Sequence, residues 1–252
     1  MSNVFEISDM LPSIDIKKVE NETAKYLKNR RKLNIESEYS QHFITRASSG
    51  INISSGSEPM DVKTNNNEGI DVCCLSILGS QSNEKSVIQN FKNSGNNLDK
   101  LFSENNDKKA VELYKTDFIN KLDCAKTKYS MINLYYIAFI STENKVYILC
   151  LKINIDSIIN VSSSGFTKTK NSININGFID NIYGNTRLYK AKKRIELRFT
   201  DKILSHPKII EIYSKNKIIS NEKICYFNEK YNLSELKKEM EKEGITIDEL
   251  ML

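Results

Sequence analysis

The stretch Ile70-Asp71-Val72-Cys73-Cys74-Leu75-Ser76-Ile77-Leu78 decides the fold. It is apolar apart from Asp71 and Ser76, and its length suits a strand buried on both faces of a sheet. Just before it, Asn65-Asn66-Asn67-Glu68-Gly69 predicts a tight turn, because Asn and Gly tolerate positive φ. Two further strands are expected upstream, at residues 60–64 and 51–54. Downstream, Asn83 is a candidate cap for a helix over residues 84–92, whose apolar face would be Val87, Ile88 and Phe91. Asp107 opens a longer helix in which Val111, Tyr114, Phe118 and Leu122 fall on one stripe. Two strong strands follow, INLYYIAFI (132–140) and KVYILCLKI (145–153), with STEN between them as a hairpin-length loop.

Farther out, Ala24, Leu27, Arg31, Ile35, Tyr39 and Phe43 recur at helical spacing, which predicts one helix over residues 22–46. A short helix at IDSII (155–159) leads to strands at SININGFI (172–179) and RIELRFT (194–200). A terminal helix over residues 233–243 is stopped by Gly244. The expected class is α/β (α+β): a central mixed sheet flanked by helices. One domain is expected over residues 1–252. It has a core at about 22–153, a basic region at about 160–200 and a C-terminal helical segment at about 221–252.

Composition narrows the function. The 252 residues are 39% hydrophobic and 27% charged, enough for one sizeable core. No apolar run approaches the ~20 residues of a membrane helix, and no basic segment leads into an apolar one at the start. A cytoplasmic location with no membrane partner is therefore expected. The five cysteines (Cys73, Cys74, Cys124, Cys150, Cys225) are odd in number and form no CxxC, which points to reduced thiols. Neither His42 nor His206 lies at ligand spacing from a cysteine, which argues against structural zinc. GxxxxGK[ST], GxGxxG and GxSxG are all absent. A His42 pair with Cys73 or Cys74 is a poor nucleophile, since burial raises a thiol's pKa.

A carboxylate cluster remains, in Glu58-Pro59-Met60-Asp61-Val62-Lys63 and Ile70-Asp71. Asp61 and Asp71 fall on two strands joined by a tight turn. Carboxylates a few ångströms apart repel unless a cation lies between them. Mg²⁺ takes one or two carboxylates plus phosphate oxygens, which suits phosphodiester chemistry. Lys63, two residues after Asp61, is placed to orient water or stabilise charge on the phosphate. The alternative is that both acids simply flank an exposed turn. Asp71 resists that reading, because an unpaired carboxylate in an apolar strand is costly.

These residues resemble the PD-(D/E)XK nuclease superfamily, to which many type II restriction endonucleases belong. The family pattern is an acid near the end of one strand, an acid-x-lysine on the next, and a helix following. Pro59-Met60-Asp61 matches the first part and Asp71-Val72-Cys73 the second, with Glu36 or Glu38 as the acid many members carry on the first helix. The likeness covers residues 22–153 at most. It implies a restriction-endonuclease-like core, Mg²⁺ at Asp61 and Asp71, a double-stranded DNA substrate and a homodimer. The dimer face would come from the Asp107 helix and the tyrosine-rich strands. The sequence departs from the pattern at Cys73, where the lysine should be. Lys63 reaching across, Lys85 or Glu84 on the following helix, and Asp61-Val62-Lys63 itself as the acid-x-lysine are the three ways to restore it.

Charge distribution bears on the partner. The net charge is +5, and eight of the basic residues lie between residues 167 and 198. Asn185, Arg187, Lys190, Lys192, Lys193 and Arg194 are the candidates for DNA contact, with Gln89 and Asn93 behind them. Two other readings stay open. One is a non-enzymatic nucleic-acid-binding or host–phage interaction protein. The other is a metal-independent RNA-directed toxin built on His42, Arg46 and Glu58.

Overall fold

The computed structural model describes residues 2–28, 30, 32–54, 58–77, 85–90 and 95–215, with residues 85–90, 95 and 96 described by backbone alone. The chain divides into two compact units, Met1–Tyr213 and Ser214–Leu252. The expected terminal helix at 233–243 lies outside the described residues, as does Glu84. In chain order the elements are β1 (Phe5–Ser8), α1 (Ile16–Leu27), α2 (Ser37–Ala47), β2 (Ile51–Asn52), β3 (Val62–Lys63), β4 (Glu68–Ser76), β5 (Lys85–Asn90), α3 (Gly95–Ser103) and α4 (Asp107–Tyr129). They continue with β6 (Asn133–Ser141), β7 (Lys145–Ile153), β8 (Ser162–Phe166), β9 (Ser172–Asn176), β10 (Gly184–Tyr189), β11 (Arg194–Phe199) and β12 (Ile210–Ser214). No described helix is long and apolar enough to cross a membrane.

The first sheet runs β1-β7-β6-β4-β3-β2, and β12 also pairs with β7. It is mixed: β4 runs parallel to β6, whereas β2, β3 and β4 form an antiparallel meander. The apolar run is thus interior to the sheet, as expected, between β3 and β6. The turn before it uses Asn67 at φ 58, and the Thr64 amide donates to the Glu68 carbonyl at 2.9 Å. Period-2 alternation gives the sheet two buried faces. On one, Ile137, Phe139, Ile148, Ile70 and Val72 meet Phe43 and Ile44 of α2; the Phe43 and Phe139 rings are 6.4 Å apart. On the other, Tyr136, Ala138, Ile140, Leu149 and Leu151 join the α4 stripe of Val111, Tyr114, Phe118 and Leu122.

The second sheet, β5-β11-β10-β9-β8, is antiparallel. Its inner face (Ile173, Ile175, Leu188, Ile195, Leu197, Phe199) covers α4 from the other side. The long helix is therefore a filling between two sheets. Its stripe and the buried tyrosines are used in the core, which removes them as the expected dimer face. Asn106, one residue before the expected cap, caps α4 by accepting from the Lys109 amide at 3.3 Å.

Two expectations are corrected. The helix expected over 22–46 is two helices with residues 28–36 between them. Ile35 is buried within that connection, so its place in the spacing reflects burial and not a continuous helix. The helix expected over 84–92 is replaced by β5, whose backbone pairs with β11. Its short apolar cluster fits either state, and the long-range partner decides.

Candidate functional site

Asp61 immediately precedes β3. Its amide donates to the Ile70 carbonyl at 2.9 Å, and its carbonyl accepts from the Ile53 amide at 2.7 Å. The β3 strand spans only Val62–Lys63, so the Val72 amide of β4 takes a side-chain partner: it donates to Asp61 Oδ2 at 2.9 Å. This holds the Asp61 carboxyl against β4, next to Asp71. Both residues are half-buried.

Their electrostatics follow from that contact. Burial raises the Asp61 carboxyl, opposed by the Val72 amide and by hydrogen bonds from Asp71 and from Gln41 of α2. The Asp71 carboxyl is raised well above the usual range, first by burial, then by the charge of Asp61 and by the hydrogen bond to it. Asp71 therefore keeps its proton longer and donates it to Asp61, as expected when two like charges share a site. The sequence reasoning missed Gln41 and Tyr136. Tyr136 pairs with Asp71 in the parallel register, and its hydroxyl is raised well above its usual value by burial first, then by Cys73 and Asp71. Only the β4–β6 register could have revealed Tyr136.

The other expected members are dispersed. Lys63 is half-buried on β3 opposite Gly69 and makes no ion pair with a described residue. Lys85 lies on β5, opposite Arg198, in the second sheet and not on a helix after β4. Gln89 is opposite Ile195 on the same strand, whereas Glu84 and Asn93 fall outside the described residues. Glu36 is exposed, accepting from Tyr26 and Arg30 at 3.1 Å each, and Glu38 is exposed. Cys73, where the lysine would stand, is half-buried and packed against the α4 core. Cys74 donates to Ser40 Oγ at 3.2 Å, and burial pushes its thiol up to about 11, while His42 is exposed. A thiol that remains protonated at neutral pH does not act as the nucleophile. The His42, Arg46 and Glu58 grouping is also not assembled: Arg46 pairs with Glu22 at 3.0 Å and Glu58 with Lys128.

The basic stretch is partly committed to internal pairs. Arg194 holds Glu196 through Nε at 3.1 Å and Nη2 at 2.7 Å. Lys193 pairs with Asp99 at 2.6 Å, and Lys192 lies 3.8 Å from Glu196. Lys190 and Lys193 span the β10–β11 turn, where the Lys193 amide donates to the Lys190 carbonyl. Asn185 and Arg187 lie on β10.

Among the described residues no group of three or more His, Cys, Asp or Glu is placed to hold a metal ion. The donor set at the candidate site is the two carboxyls alone. That suffices for Mg²⁺, which commonly takes one or two carboxylates and completes its shell with water and substrate phosphate. Two clefts among the described residues, of about 340 and 290 Å³, are lined by neither aspartate. No family model, curated protein or solved structure matches the chain.

Proposed function

We propose that the chain is a Mg²⁺-dependent endonuclease of the restriction type, hydrolysing phosphodiester bonds of double-stranded DNA at Asp61 and Asp71. One observation carries the reading: the Val72 amide of β4 holds the Asp61 carboxyl at 2.9 Å, next to the Asp71 carboxyl, which burial and the charge of Asp61 raise, and a divalent cation relieves such a pair. The strand order supports it, since an antiparallel meander bearing both acids precedes helices and a parallel strand. That is consistent with a restriction-endonuclease-like core and with the PD-(D/E)XK resemblance.

Bound Mg²⁺ supplies an activated water and neutralises charge developing on the phosphate. The chain's part is to hold the ligands. The Val72 amide fixes Asp61, and Asp61 and Asp71 would hold the cation as ionised carboxylates, the proton of Asp71 passing to water. Of the candidate lysines, Lys63 is the one on the strand that Asp61 leads into. In this reading it is the cation that faces the phosphate in place of the family lysine, and the protein works as a homodimer on a palindromic site.

A second reading, a non-enzymatic nucleic-acid-binding or host–phage interaction protein, is favoured by Cys73, which contributes no charge where a lysine is wanted. Nicking of supercoiled plasmid with and without Mg²⁺ separates them. The endonuclease reading expects cleavage by the wild type and by Cys73→Ser, and loss of at least about a hundredfold in Asp61→Asn and Asp71→Asn. Equal cleavage by both aspartate variants overturns it.

A further inference from the structure

The face of the second sheet turned away from α4 carries a cluster of charged side chains. Strand register aligns it: Arg187 stands opposite Glu196, Asn185 opposite Arg198, and Tyr189 opposite Arg194. Glu196 has 0% exposure, although it lies on this outer face. Arg194 grips its Oε1 with two nitrogens, and Arg198 Nη2 lies 3.7 Å from its Oε2. Arg198 also donates to the Tyr189 hydroxyl, with its guanidinium 5.3 Å from that ring's centroid. Arg187 makes no ion pair with a described residue. Its Nε, the Arg198 Nε and the Asn185 Oδ1 are buried without a hydrogen-bond partner.

One carboxylate thus pairs with two guanidiniums and Lys192, and Arg187 stands opposite it in register without joining the pairs. Excess positive charge in a partly desolvated place is unfavourable until an anion joins it. Buried donors without partners are similarly unfavourable, and a ligand oxygen satisfies them. Planar guanidinium forks match phosphate oxygens with two parallel hydrogen bonds, which ammonium groups do not.

We propose that this face is a phosphodiester-binding surface for the duplex backbone, with Arg187 as the contacting residue. Glu196 is a positioning residue that holds the Arg194 and Arg198 side chains against the sheet. The inference rests on the nucleic-acid part of the proposed function, and not on the chemistry of Asp61 and Asp71. It also narrows the expectation from sequence: Lys193, Arg194 and Arg198 are all engaged within the protein, which leaves Arg187.

The test is anisotropy of a labelled duplex titrated with the full chain across a salt series in EDTA, where no metal-dependent cleavage occurs. Arg187→Gln should weaken binding about tenfold and reduce the salt slope by about one. Lys193→Gln should change affinity less than about threefold, because that side chain is engaged with Asp99. Glu196→Gln makes the face more positive, so a purely electrostatic surface predicts tighter binding, whereas loss of positioned guanidiniums predicts weaker binding. Wild-type affinity and slope in Arg187→Gln overturn the proposal. So does inorganic phosphate raising the thermal midpoint while duplex binding is absent, which would make the site one for free phosphate. Binding that survives in Asp71→Asn while nicking is lost supports this surface independently of the metal site.

Discussion

Removing the Asp71 charge should stabilise the metal-free protein. The folded-state carboxyl of Asp71 is raised, so the native state binds its proton at a pH where the unfolded chain has released it. The sign follows from linkage: native stability falls as pH rises from the ordinary carboxylate range through the raised value. Two unit charges about 4 Å apart repel by about 4 kcal/mol at an effective dielectric of about 20. Both carboxyls are half-buried, so water screens part of this and about 2 kcal/mol is the working figure. Asp71→Asn removes the repulsion and keeps an N–H donor toward Asp61. At pH 8 in EDTA its thermal midpoint should exceed the wild type by about 4–8 °C, and the difference should shrink as pH falls into the ordinary carboxylate range, where Asp71 regains its proton. Adding Mg²⁺ at pH 8 should raise the wild-type midpoint and leave that of the variant unchanged. Scanning calorimetry at several pH values reads all of this. A variant no more stable than the wild type at pH 8, or a difference that does not depend on pH, would refute the shared-proton account.

Three other outcomes follow from the same geometry. Phe139 is fully buried at the centre of β6, and Phe139→Ala should cost about 3–5 kcal/mol in urea unfolding; a loss below about 1 kcal/mol would contradict the packing. A Cβ at Gly50 would meet the Lys63 carbonyl oxygen at 2.4 Å, so Gly50→Ala should destabilise by about 1–3 kcal/mol and shift Lys63. Nicking activity should then fall along with stability, and an unchanged rate would remove Lys63 from the site. Cys74→Ser replaces a thiol that remains protonated, so thiol-alkylating reagents should leave nicking unaffected; inactivation that Cys74→Ser prevents would restore a role for the thiol.

How far the sequence could be read depended on whether the signal was local. The β4 run was legible because nothing else buries so long an apolar stretch, and Asn67 because its turn needs a left-handed residue. The α4 stripe was legible at 3.6-residue spacing. The break between α1 and α2 was not, because buried Ile35 continues the helical rhythm of Leu27, Tyr39 and Phe43 through a non-helical connection. Nor was β5, since its pairing with β11 spans about a hundred residues of chain. At the candidate site, Asp71 could be found because a carboxyl in an apolar strand needs a partner, and Asp61 was the acid across the turn. Tyr136 and Gln41 come from other elements and carry no local mark. The basic stretch was visible as charge, but its burial around Glu196 was not, because that depends on alternate residues of two strands facing one another.

The central claim is that Asp61 and Asp71 share a divalent cation. Diffraction from crystals soaked in Mn²⁺ with a duplex at pH 8 tests it most directly, since the ion's anomalous signal marks its position. The account predicts a peak within about 2.0–2.3 Å of one oxygen from each carboxyl, and no peak there in Asp71→Asn crystals. Carboxyls still hydrogen-bonded to each other, with the ion elsewhere or absent, would contradict it.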